Sequence, residues 1–265
     1  ELLQRVVRER EEALGLGLIV LGLGLLLDHR PQEVATDATE AVEAAAAAFP
    51  AWSATGPNAR RALLLKAADA MQARASEFAA LMTAETGATA PWGGFNAMLA
   101  GNMLREAASM TTQISGEVIP SDKPGCLSLA IRQACGVVVG IAPWNAPVIL
   151  GTRAVAMPLA CGNTVVLKAS ELCPGTHRLI GQVLADAGLP KGVINVVTNA
   201  PADASAVVAA LVEHPKVKRV NFTGSTRVGR LVAEAAGRNL TPVTLELGGK
   251  SPAIVDRSAD LDVPA

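Results

Sequence analysis

Gly136-Val137-Val138-Val139-Gly140-Ile141-Ala142-Pro143-Trp144-Asn145-Ala146-Pro147 begins as an almost unbroken apolar run and ends in a turn framed by two prolines. A run with no polar alternation reads as a strand buried on both faces, which is the condition of a strand inside a parallel sheet. Four similar runs follow at Thr164 to Leu167, Val193 to Val197, Val220 to Phe222 and Val243 to Leu247, each separated from the last by a helical stretch. Five buried strands joined by helical crossovers predict an α/β fold with a doubly wound parallel five-stranded sheet. Its crossovers should be right-handed, and its ligand site should lie beyond the strand C-termini.

Working back from this run, Cys126 to Gln133 alternates like an exposed strand, and Pro120, Pro124 and Gly125 mark turns. Earlier still, Thr39 to Phe49 reads as an Ala-rich helix ended by Pro50. A longer helix follows Pro57, with Leu63, Leu64, Ala67, Met71, Ala75 and Phe78 at spacings of three and four, and stops at Gly87. A third helix is expected over Phe95 to Thr112. The organisation is therefore an apolar segment at 1–36 without an assignment, a helical region at 37–115, a hairpin or oligomerisation arm at 116–135, and the α/β core at 136–265.

The apolar stretch from Ala13 to Leu27 is 15 residues long, short of the roughly 20 that span a bilayer. Glu1, Glu9, Glu11 and Glu12 dilute the arginines of the flanking stretch Arg5 to Glu12, and no small-x-small cleavage site precedes Asp28, so a secretory signal is not expected. A buried element is the reading expected, with a membrane or partner-binding segment the minority alternative.

Composition narrows the function classes. The 265 residues are 50% hydrophobic and 18% charged with a mean hydropathy of +0.34, which excludes wholesale disorder. Lys plus Arg at 23 against Asp plus Glu at 24, with 3% aromatics and no Tyr, leaves no electrostatic or stacking surface for nucleic acid. Cys126, Cys135, Cys161 and Cys173 form no C-x-x-C pair, and the three histidines are scattered, so no metal site is expected. The cysteines read as small buried residues in a reducing, cytoplasmic compartment.

The polar groups that follow each apolar run are the candidates for chemistry. Asn145 can donate to a developing oxyanion, or it can serve an Asx turn or helix cap. Lys168 and Glu171 are three residues apart, either a surface ion pair or a ribose-recognising pair. Phe222-Thr223-Gly224-Ser225-Thr226-Arg227-Val228-Gly229 places a Gly-Ser turn at a helix start, a seat for a pyrophosphate or an ordinary N-cap. Glu246, in Leu245-Glu246-Leu247-Gly248-Gly249-Lys250, is a carboxylate on an apolar strand, fit for a base or for a structural pair with Lys250. The usual G-x-G-x-x-G fingerprint is absent.

In order and spacing, Pro143-Trp144-Asn145, Lys168 to Glu171, Phe222 to Gly229 and Glu246 to Lys250 resemble the aldehyde dehydrogenase superfamily over roughly Thr39 to Ser251. The stretches Gly116 to Pro120, Ile141 to Leu150 and Ala169 to His177 look most like its bacterial aromatic-aldehyde members, the salicylaldehyde dehydrogenases especially. The resemblance implies a Rossmann-like domain binding NAD, a small-molecule aldehyde as substrate, and a homo-oligomer for the full-length family member. It also implies that a cysteine thiolate attacks the aldehyde, that Asn145 stabilises the oxyanion and that Glu246 activates water. By the same resemblance Lys168 and Glu171 contact ribose, Ser225 and Trp144 the pyrophosphate, and Leu247 the nicotinamide region; Ile141, Phe222, Gly224 and Gly229 complete the cofactor site.

The chain departs from the family pattern in two places. The family's nucleophilic cysteine lies well beyond the Glu of E-L-G-G-K, past Ala265, so the chain reads as an N-terminal half that lacks the catalytic cysteine and is inactive alone. None of its own four cysteines has a comparable context. Residues 1 to about 36 replace the family's usual opening strands. Besides an aromatic aldehyde dehydrogenase fragment, the sequence admits a noncatalytic dinucleotide-binding module or a partner-binding chain that associates through its N-terminus.

Overall fold

The computed structural model describes residues 31–252 and 254–260. The expectations for the Leu/Gly run at 13–27 lie outside these residues.

The chain order is α1 (Pro31–Ser53), α2 (Pro57–Ala73), α3 (Ala75–Thr86), α4 (Ala90–Met110), β1 (Glu117–Ile119), β2 (Ser128–Ala130), β3 (Val137–Ile141), α5 (Pro147–Ala160), β4 (Thr164–Lys168), α6 (Pro174–Asp186), β5 (Ile194–Val197), α7 (Ala204–Val212), β6 (Val217–Gly224), α8 (Thr226–Arg238) and β7 (Val243–Leu247). The five long runs form one sheet in the order β5-β4-β3-β6-β7, every pair parallel. This is the doubly wound α/β sheet that the apolar runs predict. Every residue of β3, β4 and β5 is buried, because helices cover both faces.

Side chains alternate across the sheet, and the core divides accordingly. Val165 and Leu167 pack with Leu159, Ile180, Val183 and Leu104 on the side of α2 to α6. Val137, Val139, Ile141 and Val166 pack with Val42, Leu211 and Val232 on the side of α1, α7 and α8.

Three helix expectations need correction. α1 does not end at Pro50 but runs through it to Ser53; Trp52, only 1% exposed, docks in the core, and its burial outweighs the one backbone hydrogen bond a proline removes. The segment after Pro57 is two helices, broken at Arg74 (φ −101°, ψ 18°), whose guanidinium bonds Glu77 and Asp186. α4 starts at Ala90 rather than Phe95. Gly93 and Gly94 are poor helix formers, yet Gly93 lets α4 press against α3: a Cβ there would lie 2.6 Å from Ala79 Cα.

β1 and β2 form a separate antiparallel hairpin with Val118, Leu127, Leu129 and Ile131 all more than half exposed. Among the described residues no helix is long and apolar enough to cross a membrane.

Candidate active site

Register places one row of residues straight across the C-terminal end of the sheet: Val197, Lys168, Ile141, Phe222 and Leu245. Ile141, Phe222 and Val197 belong to the core on the α8 side, so Lys168 shares that side. Thr223 and Glu246, paired one residue further along, project to the opposite side, toward α5, where Arg153 donates to Thr223 Oγ1 at 3.0 Å. Asn145 lies in the turn that enters α5. The loops carrying Asn145, Glu171 and Ser225 thus leave one edge of the sheet, with Asn145 and Glu246 on its α5 side and Lys168 on its α8 side.

Asn145 caps nothing. Ala146 occupies the N-cap of α5 without a side-chain hydrogen bond, and among the described residues the exposed Asn145 amide has no bond of its own. Its carbonyl accepts from Trp92 Nε1 at 3.3 Å. Asn96, fully buried, donates to the Trp92 carbonyl and accepts from Ile149 N, an otherwise free first-turn N–H of α5. α4 therefore holds the Asn145 turn from the side while leaving the amide available. Trp92 stacks on Phe95 at 5.5 Å, and Trp144, half exposed, stands beside Asn145 in the chain.

Lys168 and Glu171 are ion-paired and are not the solvated surface pair that their spacing also allowed. Lys168 is 4% exposed. Burial pushes the Glu171 carboxyl up, but hydrogen bonds from Lys168, its own backbone and Asn199 together hold it below the usual carboxylate range. The segment from Lys168 to the start of α6 is anchored from two directions. Glu85 of α3 accepts from Gly175 N (2.7 Å), Thr176 N (2.9 Å) and Thr176 Oγ1 (2.6 Å), closing the N-terminus of α6. His177, wholly buried, accepts from Ser170 N at 3.0 Å through Nδ1.

At the third loop Ser225 is the N-cap of α8, its Oγ accepting from Val228 N. A helix start leaves the preceding N–H groups, those of Thr226 and Arg227, facing outward without intrahelical acceptors. Gly229 allows α8 to close on the sheet, since a Cβ there would meet Leu247 Cδ2 at 2.5 Å and Phe222 Cε1 at 3.4 Å. Gly224 admits the Phe222 ring in the same way and accepts from Gly248 N through its carbonyl. Ile141 and Phe222 are buried beneath this edge, and Leu247 is partly exposed above it. Glu246 is exposed, not enclosed by apolar neighbours as its strand context suggested, because among the described residues α8 packs against the other face of β7 and leaves the face of Thr244 and Glu246 open to solvent.

The cysteines also depart from expectation. Only Cys173 is buried; Cys126, Cys135 and Cys161 are exposed. Cys161 ends α5 and Cys135 precedes β3, at the far end of the sheet from Asn145, and partial desolvation by the surrounding chain, against the pull of Arg60, holds the Cys161 thiol above its ordinary range. Cys173 is near the candidate edge, but burial pushes its thiol up to about 12. Among the described residues no group of side chains is arranged to hold a metal ion.

Trp92, Asn96, Glu85, His177 and Asn199 support this edge, yet sequence reading singled out none of them in that role. They reach it from other elements across 28 to 91 residues, a separation that leaves no periodic or motif signal.

A parallel sheet whose C-terminal edge gathers an uncommitted amide, an enclosed Lys-Glu pair and a Ser-capped helix N-terminus has the layout of a nucleotide-dependent oxidoreductase domain. Residues 25–265 match the aldehyde dehydrogenase family, and the chain belongs to that family. It is 66% identical over 239 residues to a vanillin dehydrogenase of Pseudomonas fluorescens, covering 90% of this chain and 49% of that protein. A salicylaldehyde dehydrogenase of Pseudomonas putida is 49% identical over 227 residues, covering 86% and 47%. The crystal structure of a salicylaldehyde dehydrogenase from Pseudomonas putida G7 complexed with salicylaldehyde superposes with a TM-score of 0.81 over 82% of this chain and 45% of that one. That of PnpE in complex with nicotinamide adenine dinucleotide, 40% identical, gives 0.77 over 82% and 44%. The chain spans about half the length of the curated relatives it matches.

Proposed function

We propose that the protein carrying this chain oxidises an aromatic aldehyde to the carboxylic acid with NAD, and that these residues supply its cofactor site, oxyanion donor and base. The observation that carries this reading is the shared edge, where the free Asn145 amide, the Lys168–Glu171 pair and the N-terminus of α8 meet. The donor set suits a dinucleotide: Lys168 and Glu171 offer a cation and an acceptor to a ribose, and the α8 start offers N–H groups and a positive dipole end to a pyrophosphate. Ser225, Trp144, Gly224 and Gly229 would border the pyrophosphate, with Ile141, Phe222 and Leu247 against the rings. When bound, NAD takes up the two electrons and the hydrogen that the aldehyde carbon loses.

The chain's own residues do the rest. The Asn145 amide donates to the carbonyl oxygen as negative charge collects there, a contribution that in such sites is worth about 10²–10³ in rate. Glu246 removes a proton from the water that releases the acid. The covalent step needs a thiolate, and none of the four cysteines is placed to supply one, so the nucleophile comes from outside these residues. The aromatic substrate is supported by the relatives, a vanillin dehydrogenase and a salicylaldehyde dehydrogenase. A homo-oligomer in the cytoplasm is the setting we propose.

The test is turnover by the protein in which this chain is joined to its nucleophile, followed as NADH formation with vanillin, salicylaldehyde, benzaldehyde and an aliphatic aldehyde. Aromatic substrates should be favoured, and Asn145→Ala should lower kcat by about 10²-fold or more with little change in NAD binding. Absence of turnover with every aromatic aldehyde, or an Asn145→Ala variant with normal kcat, defeats the reading.

A further inference from the structure

A residue from the loop after β5 completes the Lys168–Glu171 pair. β5 pairs with β4, and Asn199, two residues past the end of β5, reaches the loop after β4. Its Nδ2 donates to Glu171 Oε1 at 3.2 Å and to the Ala200 carbonyl at 2.7 Å. Both amide hydrogens are committed, so the orientation of the amide is determined: turned over, its oxygen would face a carboxylate and a carbonyl. The other amide atom, Oδ1, is enclosed without a donor among the described residues. Leaving it so is unfavourable, which means that the two Nδ2 bonds, not Oδ1, hold the pose.

Glu171 Oε1 therefore accepts from Lys168 Nζ on one side and Asn199 Nδ2 on the other. Neither bond uses Oε2. With one oxygen held by two donors, one at the end of β4 and one in the loop after β5, the swing of the carboxylate is restricted, and neither donor competes for Oε2.

We propose that Asn199 is a positioning residue for cofactor selection: by gripping Glu171 with Lys168, it presents Oε2 to the hydroxyls of an adenosine ribose and excludes a 2′-phosphate. This rests on the cofactor reading above. Without Asn199 the carboxylate is tethered by a single flexible lysine. A 2′-phosphate can then displace it and take Lys168 as its partner, so the preference for NAD narrows.

The experiment titrates the 265-residue chain with NAD and with NADP by calorimetry at pH 8. It compares the wild type with Asn199→Ala, Asn199→Asp, Glu171→Gln, and Asn199→Ala combined with Glu171→Gln. Asn199→Ala should weaken NAD by roughly three- to tenfold, the value of one such hydrogen bond, with NADP unchanged or tighter. Asn199→Asp keeps the size and shape of the residue and sets a second carboxylate against Glu171, so it should weaken NAD at least as much, and it stands in if the alanine variant does not fold. In the Glu171→Gln background, Asn199→Ala should add little further change in the ratio of the two affinities.

If Glu171→Gln alters that ratio while Asn199→Ala and Asn199→Asp do not, the proposal is overturned and the cofactor reading stands. Effects that add in full in the double variant also overturn it, since Asn199 would then act independently of Glu171. If the wild type binds neither dinucleotide, or Glu171→Gln changes nothing, the cofactor reading fails and takes this proposal with it.

Discussion

The Nε2–H of His177 donates to the Pro147 carbonyl across 3.1 Å, and this bond ties the loop after β4 to the turn that presents Asn145. Because Ser170 N–H donates to Nδ1 of the same ring, the proton must reside on Nε2 and the ring must be neutral. Burial accounts for this, pushing the imidazole down to about 4 from 6.5, against the upward pull of its bond to Pro147.

A pH dependence of stability follows. Between pH 6.5 and about 4 the unfolded chain binds a proton at His177 that the folded chain does not, so stability rises with pH across that window. His177 should therefore withdraw about 3 kcal/mol from stability as pH falls from 7 to 4, and about 2 kcal/mol of it by pH 5. Urea midpoints at pH 7.5 and 5 measure this. In His177→Gln, less stable at neutral pH, that part of the slope should vanish; an unchanged slope assigns the effect to other groups.

Glu85→Ala should destabilise the chain by about 2 kcal/mol, because three donors at the start of α6 lose their acceptor together. Glu85→Gln, which keeps one acceptor oxygen, should recover part of the loss. Equal midpoints for Glu85→Ala and the wild type in chemical denaturation would show that water replaces the carboxylate without cost.

Gly93 and Gly94 make an adjacent pair with opposite expectations. Alanine at 94 meets nothing within 4 Å and should stabilise α4 by up to about 1 kcal/mol. Alanine at 93 meets the backbone of Ala79 at 2.6 Å, which cannot swing aside, and should cost about 1–3 kcal/mol despite the better helix propensity. Thermal melts of the two variants should shift in opposite directions, and a stabilised Gly93→Ala would mean that α3 and α4 separate freely.

The purified 265-residue chain should form no NADH with vanillin, salicylaldehyde or benzaldehyde above a no-enzyme control, whatever cofactor affinity it shows. Asn145 and Glu246 can act on an adduct but cannot form one. Steady turnover abolished by Cys161→Ser would refute this and place the nucleophile at the opposite end of the sheet.

Much of this was legible in the residues. The runs at 137–142, 164–167 and 193–197 have no polar face and are buried on both sides, and such strands have few homes other than a parallel sheet with helices above and below. The run at 243–247 alternates Thr244 and Glu246 with apolar residues and is the exposed edge of that sheet. Once the strands are parallel, the groups following them must share an edge, so Asn145, Glu171 and Ser225 were locatable without coordinates. Helix limits at Pro50, Arg74 and Gly93 were not, because local propensity differs there by about 1–3 kcal/mol and the burial of Trp52 or the approach of Ala79 decides the outcome.

The sequence by itself determined the periodicity of the sheet, the order of its motifs and, through them, the family, since each depends on residues close together in the chain. Only the tertiary structure decided which face each group takes, that Lys168 and Glu171 are enclosed, that Asn145 is uncommitted, and that Cys161 lies at the wrong end. It alone revealed His177, Asn96, Glu85 and Asn199 around the candidate edge. Their contacts join elements far apart in sequence, and such contacts exist only once packing has brought two surfaces together and removed the water between them.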